Sequence, residues 1–327
     1  MQDLNAMRPA GSGTGIRSGA GGASIDLMDS RDRDAESILD WSDEFIGALK
    51  DRLLALRAGS ELPAEDRDEL TAHGLLEESS GQPTALGEAL TELIIRESWQ
   101  EGGERRTFRE LGIEDDVGSV LEIGCSSGWT LRSLGPAPGA RRMGVDIDAR
   151  ALALGYRFSR LENQDCGFAC CSAYALPCDD ESIDFLICRN TLTYLHQRSA
   201  VREMTRVLKP GGLVFLRFEN VWYDLRQIAH AKTIRSLASR LRDLGLGLIH
   251  AAAGWQLGAG SRVRWGRAFV ALPRLRKTLR ACGCEITQID ESLRCPRFWG
   301  FATQTSLLAR KAGKSSRRQA PGSPGAR

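Results

Sequence analysis

From Glu36 onward the apolar positions recur at helical spacing. Ile38, Leu39, Phe45, Ile46, Leu49, Leu53 and Leu54 fall three and four residues apart, which predicts helices that bury one face. From Ser119 the pattern changes to short apolar runs. VLEI, RRMGVD, the run from Phe168, IDFLIC and LVFLRF each read as a buried strand, and helical stretches separate them. A helix from Leu272, ended at Gly283, leads into CEITQID and then GFATQTSLLARK, two strands expected to pair antiparallel. Alternating strands and helices predict an α/β fold on a mostly parallel sheet. The predicted boundaries are a disordered Gly/Ser-rich stretch at 1–35, a helical region at 36–116, an α/β domain at 117–311 and a disordered tail at 312–327. Leu62 to Ile94 has the look of part of a winged helix; a plain helical cap fits the same residues.

The segment VLEIGCSSGW, Val120 to Trp129, carries the most chemistry. A strand stops in a glycine turn that opens a helix, an arrangement that lets backbone pass close to a ligand. The carboxylate of Glu122, just before the first glycine, would repel a pyrophosphate and suits a cationic ligand. Asp146 lies twenty-four residues beyond it, at the end of the second apolar run, as strand, helix, strand requires. A carboxylate there can accept both hydroxyls of a ribose, each charge-assisted bond contributing roughly 1.5 to 3 kcal/mol.

With these motifs in order, followed by LPCDDESIDFLIC and VLKPGGLVFL, the chain resembles the class I S-adenosylmethionine-dependent methyltransferases over roughly Ser119 to Lys311. The resemblance implies a Rossmann-like seven-stranded, mostly parallel sheet with an antiparallel last strand, and S-adenosylmethionine as cofactor. It implies that Glu122, Gly124, Cys125, Ser126 and Gly128 line the methionine end, that Asp146 holds the ribose with Ile147 beside it, and that Ser172 and Ala173 meet the adenine, with Arg189 completing the set. Two positions depart from the family. Ser126 replaces the middle glycine of the first motif, and Ser172 replaces the acidic residue usual at the adenine.

The net charge of +2 conceals an uneven distribution. Asp26 to Asp116 holds twenty-five acidic and ten basic residues, whereas Val221 to Arg280 holds twelve basic and two acidic. The basic part fills the gap after the fifth strand. It predicts a basic amphipathic helix with Leu225, Ile228, Leu237, Leu241 and Leu244 on one face, then a Gly/Arg/Trp loop. Over about 221–270 we read an acceptor lid, against the plainer reading of a solvated helix and surface loop, with attachment to a membrane surface as a third. Tyr194, His230, Trp255 and Arg264 are the acceptor-binding candidates, and His196 and Glu219 the candidates for proton handling.

These features point to methyl transfer onto a small, anionic metabolite or biosynthetic intermediate. Two other readings stand beside it: a cofactor-binding regulator or partner subunit without turnover, and a nicotinamide oxidoreductase, which Glu122 and the closing hairpin disfavour. The nine cysteines show no metal-ligand spacing and read as reduced thiols, so no metal is expected and the location expected is cytoplasmic. No run of eighteen apolar residues crosses a membrane, and CRNTLTYL stands where DNA amino-methylating enzymes carry an aromatic base-holding motif, so nucleic acid is not expected. A homodimer through the helical N-terminal region is the expected assembly.

Overall fold

The computed structural model describes residues 30–98, 117–134, 140–256, 267–291 and 296–313. The chain divides into two compact units at Ser172/Ala173.

In the first unit, four helices precede the sheet: α1 (Ser30–Asp40), α2 (Asp43–Arg57), α3 (Ala64–Ala72) and α4 (Ala85–Ser98). Helix α1 begins ahead of Glu36, where the apolar period starts. Ser42 caps α2, its Oγ accepting from the amide of Phe45 at 3.0 Å, and Thr84 caps α4 through the amide of Gly87 at 3.1 Å. Between α3 and α4 the chain turns back through one bridge, Leu76 to Pro83. Phe45, Ile46, Leu49, Leu53, Leu70, Leu75, Leu90 and Ile94 are fully buried and form the core of this region.

Strands β1 (Ser119–Ile123), β2 (Arg141–Asp146) and β3 (Cys166–Cys170) are parallel, with Glu122 opposite Gly144 and Asp146 opposite Cys170. The short helix α5 (Trp129–Ser133) and the longer α6 (Ala149–Leu161) connect them. Helix α6 is buried on almost every side, because β2 and β3 lie along one face and α1 and α2 along another. Arg157 of α6 reaches the carbonyl of Leu39 and the carboxylate of Asp43, the latter at 2.6 Å, and ties the N-terminal helices to the α/β layer.

The second unit contains β4 (Ile183–Arg189), a 3-10 turn at Leu192–Tyr194, α7 (Gln197–Val207), β5 (Leu208–Glu219), α8 (Val221–Ala229), α9 (Ile234–Ala253), α10 (Leu272–Ala281), β6 (Cys284–Asp290), a small hairpin β7 (Arg297–Phe298) and β8 (Phe301–Ala302), and β9 (Gln304–Lys311). β4 and β5 are parallel; β9 runs antiparallel to both β5 and β6. The Pro-Gly-Gly stretch, whose composition is that of a turn, is a bulge within β5. The register skips from Ile183–Leu208 to Phe185–Leu213, and Lys209 grips Asp184 at 2.8 Å. The seven strands form one sheet in the order β3-β2-β1-β4-β5-β9-β6, the Rossmann-like class expected, with β9 the antiparallel strand.

Gly155 shows how tightly α6 seats. A Cβ there would lie 2.5 Å from the backbone oxygen of Ser127. Alanine in place of glycine inside a helix ordinarily gains about 1 kcal/mol. Here we expect the opposite sign: Gly155→Ala loses about 1–3 kcal/mol in urea unfolding, because neither the helix nor the turn it touches has room to withdraw. A stabilised variant would show that this contact is slack.

Candidate active site

The turn after β1 is built by short-range hydrogen bonding. The amides of Gly124 and Cys125 both donate to the carbonyl of Val145, at 2.8 and 3.2 Å, which draws the turn onto the end of β2. Ser126 takes a left-handed conformation, φ 52°, uncommon outside glycine, and its amide donates to Asp146 Oδ2 at 2.9 Å. Asp146 Oδ1 accepts from the amides of Ile147 and Asp148, at 2.7 and 3.1 Å. One carboxylate thus joins the turn after β1 to the turn after β2. Gly128 is left-handed too, φ 70°, and a Cβ on it would meet the ring of Phe168 at 2.4 Å, so glycine is demanded there from the protein side.

Glu122 is buried near the end of β1. Burial, then the charges of Asp146 and Glu122, push the Cys125 thiol well above its ordinary range, so it stays neutral. Burial also raises the Asp146 carboxyl, against the pull of its three amide donors. A carboxylate has about four lone-pair sites, and three amides leave Asp146 able to accept from a ligand hydroxyl. Ile147 is 72% exposed beside it, an apolar surface at the lip of the turn. The amide of Cys171 donates to the carbonyl of Asp146 at 3.0 Å, which places the half-buried Ser172 just past this point. The first unit therefore brings together Glu122, Gly124, Cys125, Ser126, Gly128, Asp146 and Ile147 around two joined turns.

In the second unit, Ala173 is buried and Arg189 is half-buried at the end of β4. Glu219, at the end of β5, is buried and held by Arg267 at 2.9 Å, with Thr193 Oγ1 donating at 3.4 Å. Arg267 also pairs with Asp224 of α8 and lies over the ring of Tyr223, 4.8 Å from its centroid. Burial pushes the carboxyls of Glu219 and Asp224 up, and Arg267 opposes that shift in both. His196 caps α7: its Nδ1 bonds to Ser199 Oγ at 2.9 Å, and its own amide donates to Tyr174 Oη at 2.7 Å. Tyr194 is exposed on the 3-10 turn, His230 is exposed at the end of α8, and Trp255 is exposed after α9. Arg264 lies outside the described residues.

Arg267, Asp224 and Tyr223 were not singled out from sequence. Arg267 is one arginine among many in a basic stretch. The available signal was the rarity of acid there, for Asp224 and Asp243 are the two carboxylates between 221 and 280, and both are buried. A second aromatic feature was also missed: Trp222 and Phe301 stack at 4.0 Å with rings nearly parallel, joining α8 to the β7–β8 hairpin.

A family profile described as a methyltransferase domain matches residues 121–216, which span the joined turns and run through most of β5. Over these residues the chain carries a methyltransferase domain. An uncharacterized methyltransferase-like protein of Schizosaccharomyces pombe is 30% identical over 99 residues, 30% of this chain and 37% of that protein. A demethylmenaquinone methyltransferase of Staphylococcus aureus is 31% identical over 117 residues, 34% of this chain and 46% of the other. The chain thus spans less than half the length of these relatives. Among solved structures, a SAM-dependent methyltransferase from Methanosarcina mazei superposes with a TM-score of 0.45 at 22% identity, covering 63% of this chain and 98% of that one.

The buried cluster around Arg267 sets a pH-dependent stability. Because burial raises both carboxyls above the unfolded value near 4, the folded chain binds protons that the unfolded chain has released, and the cluster's contribution falls as pH rises through that window. Removing the guanidinium widens the window upward. Arg267→Gln should cost about 3–5 kcal/mol at neutral pH, and the loss should shrink as pH falls towards about 5, read by denaturant unfolding at both pH values. A loss equal at both would mean that the carboxylates are solvated.

Proposed function

We propose that this chain transfers a methyl group from S-adenosylmethionine to a small acceptor by in-line displacement. The observation that carries this reading is the carboxylate of Asp146, which binds the amides of two turns and keeps acceptor capacity for one ribose hydroxyl. The buried Glu122 supports it, since a carboxylate at that place favours the cationic end of such a cofactor over a phosphate. In this assignment Gly124, Cys125, Ser126 and Gly128 line the methionine end, and Ile147, Ser172 and Ala173 face the adenine, with Arg189 beside them. The neutral Cys125 thiol adds a buried surface that does not compete for the positive charge.

When bound, the cofactor supplies an electrophilic methyl group on a sulfonium whose departure as a thioether needs no acid. The chain's own task is then positioning and exclusion of water, which can contribute roughly 7–11 kcal/mol. An acceptor hydroxyl or protonated amine also needs a base. We assign that role to Glu219 or His196; burial raises the carboxyl of Glu219, which makes it a stronger base than an ordinary carboxylate. The basic surroundings of α8 and α9 support an acceptor with negative charge, recognised through Tyr194, His230, Trp255 and Arg264. The eight cysteines among the described residues are free thiols, which supports placement in the cytoplasm.

One observation favours the second reading, a cofactor-binding regulator without turnover. Glu219 is engaged by Arg267 and His196 by the cap of α7, so both proton-handling candidates already have partners. Calorimetry with S-adenosylhomocysteine and profiling of a metabolite extract with methyl-labelled cofactor separate the two. We expect micromolar-range binding that Asp146→Ala weakens at least tenfold, together with a labelled small-molecule product. Unchanged affinity in Asp146→Ala removes the ribose assignment, and binding without any labelled product selects the regulator.

A further inference from the structure

Helix α9 is packed the opposite way from an ordinary amphipathic helix. Its buried positions are Asp243, Gly247 and His250, one turn apart on a single face. The opposite face carries Ile234, Leu237, Leu241, Leu248 and Ile249, all exposed, with Ile234 at 87%, Leu241 at 51% and Leu248 at 50%. Five large apolar side chains in one stripe along a helix about 30 Å long make a contiguous patch of the kind that marks an interaction surface.

The charge around the stripe selects the partner. From Val221 to Gln256 the two carboxylates are Asp224 and Asp243, and both are buried. Every exposed charge of this stretch is therefore positive: Lys232 and Arg235 beside the N-terminal end of the stripe, and Arg242 along its flank, where it is paired with Asp243 at 3.1 Å. A two-fold contact with a second copy would set these cations against themselves. An anionic surface takes them all with the same sign of interaction, and a bilayer interface also accepts an apolar stripe lying in its plane. No helix among the described residues is long and apolar enough to cross a membrane, so the fit is to the surface and not to the interior.

We propose that α9 docks the protein on the surface of a bilayer containing anionic phospholipid, with Ile234, Leu237, Leu241, Leu248 and Ile249 in the headgroup–acyl boundary and Lys232 and Arg235 on the phosphates. This docking stands independently of the methyl-transfer reading.

The test is co-sedimentation of the full chain with vesicles of phosphatidylcholine, with and without phosphatidylglycerol. The expected result is binding to the anionic vesicles that weakens with added salt and falls at least tenfold in L241Q/L248Q. The partial control Leu241→Ile should bind like the parent. Both altered positions are half-exposed, so the fold should survive, and unchanged circular dichroism and S-adenosylhomocysteine affinity would confirm it. Three results overturn the proposal: no binding to anionic vesicles, binding that L241Q/L248Q leaves intact, or a lipid-free oligomer that L241Q/L248Q dissociates in size-exclusion chromatography. The last would show that the face is already covered by a second copy.

Discussion

The cradle depends on one carboxylate accepting hydrogen bonds from three amides. Ser126, at φ 52°, occupies a conformation that costs an L-residue roughly 1–2 kcal/mol. Its amide donates to an ionised acceptor, and a bond of that kind contributes about 1.5–3 kcal/mol. The second quantity equals or exceeds the first, which explains how serine can stand where the family has glycine without the turn opening. The same carboxylate holds the amides of Ile147 and Asp148, so loss of its charge would release the turn after β2 as well.

The turn is also braced from behind. Phe168 of β3 fills the space beside Gly128, and Gly155 of α6 lies against the backbone of Ser127. Helix α6 cannot back away, because α1 and α2 cover its outer side and Arg157 bonds across to Leu39 and Asp43. The N-terminal helices are thus coupled to the cradle through α6. Their contribution is rigidity: a turn that carries two carboxylates is held in place by packing on its far side. In the second unit the same need is met by charge. Glu219 and Asp224 would repel one another in a buried setting, and Arg267 is the group that lets both remain there.

How much of this was legible in the sequence depended on whether the signal was local. Asp146 could be read because strand, helix and strand set its distance from Glu122, and the closing pair β6 and β9 could be read because their apolar alternation is strong. The bulge at Lys209–Gly212 could not. A Pro-Gly-Gly stretch reads as a turn, and only the pairing of Leu208 with Ile183 keeps it inside β5. The partners of Glu219 were hidden for a different reason. Arg267 comes forty-eight residues later in the chain, and spacing says nothing about which of many arginines will be buried.

Helix α9 shows the sharper limit. Periodicity identified Leu237 and Leu241 as sharing a face, yet a period defines faces without saying which one points inward. What decided it was steric and polar together. Gly247 lets the ring of Phe269 come so close that a Cβ would sit 2.2 Å from it, a contact no leucine could allow. His250 bonds Gln197 at 3.0 Å, and Gln197 in turn donates to the carbonyls of Ala268 and Phe269. Burial lowers the His250 pKa, so the imidazole enters this network neutral and without the cost of a buried charge. Once that face is inside, the leucines must be outside. Complete burial of such a side chain is worth roughly 1.5–3 kcal/mol, and within the second unit that free energy goes unused. It is available only to a surface that meets the helix from its outer side.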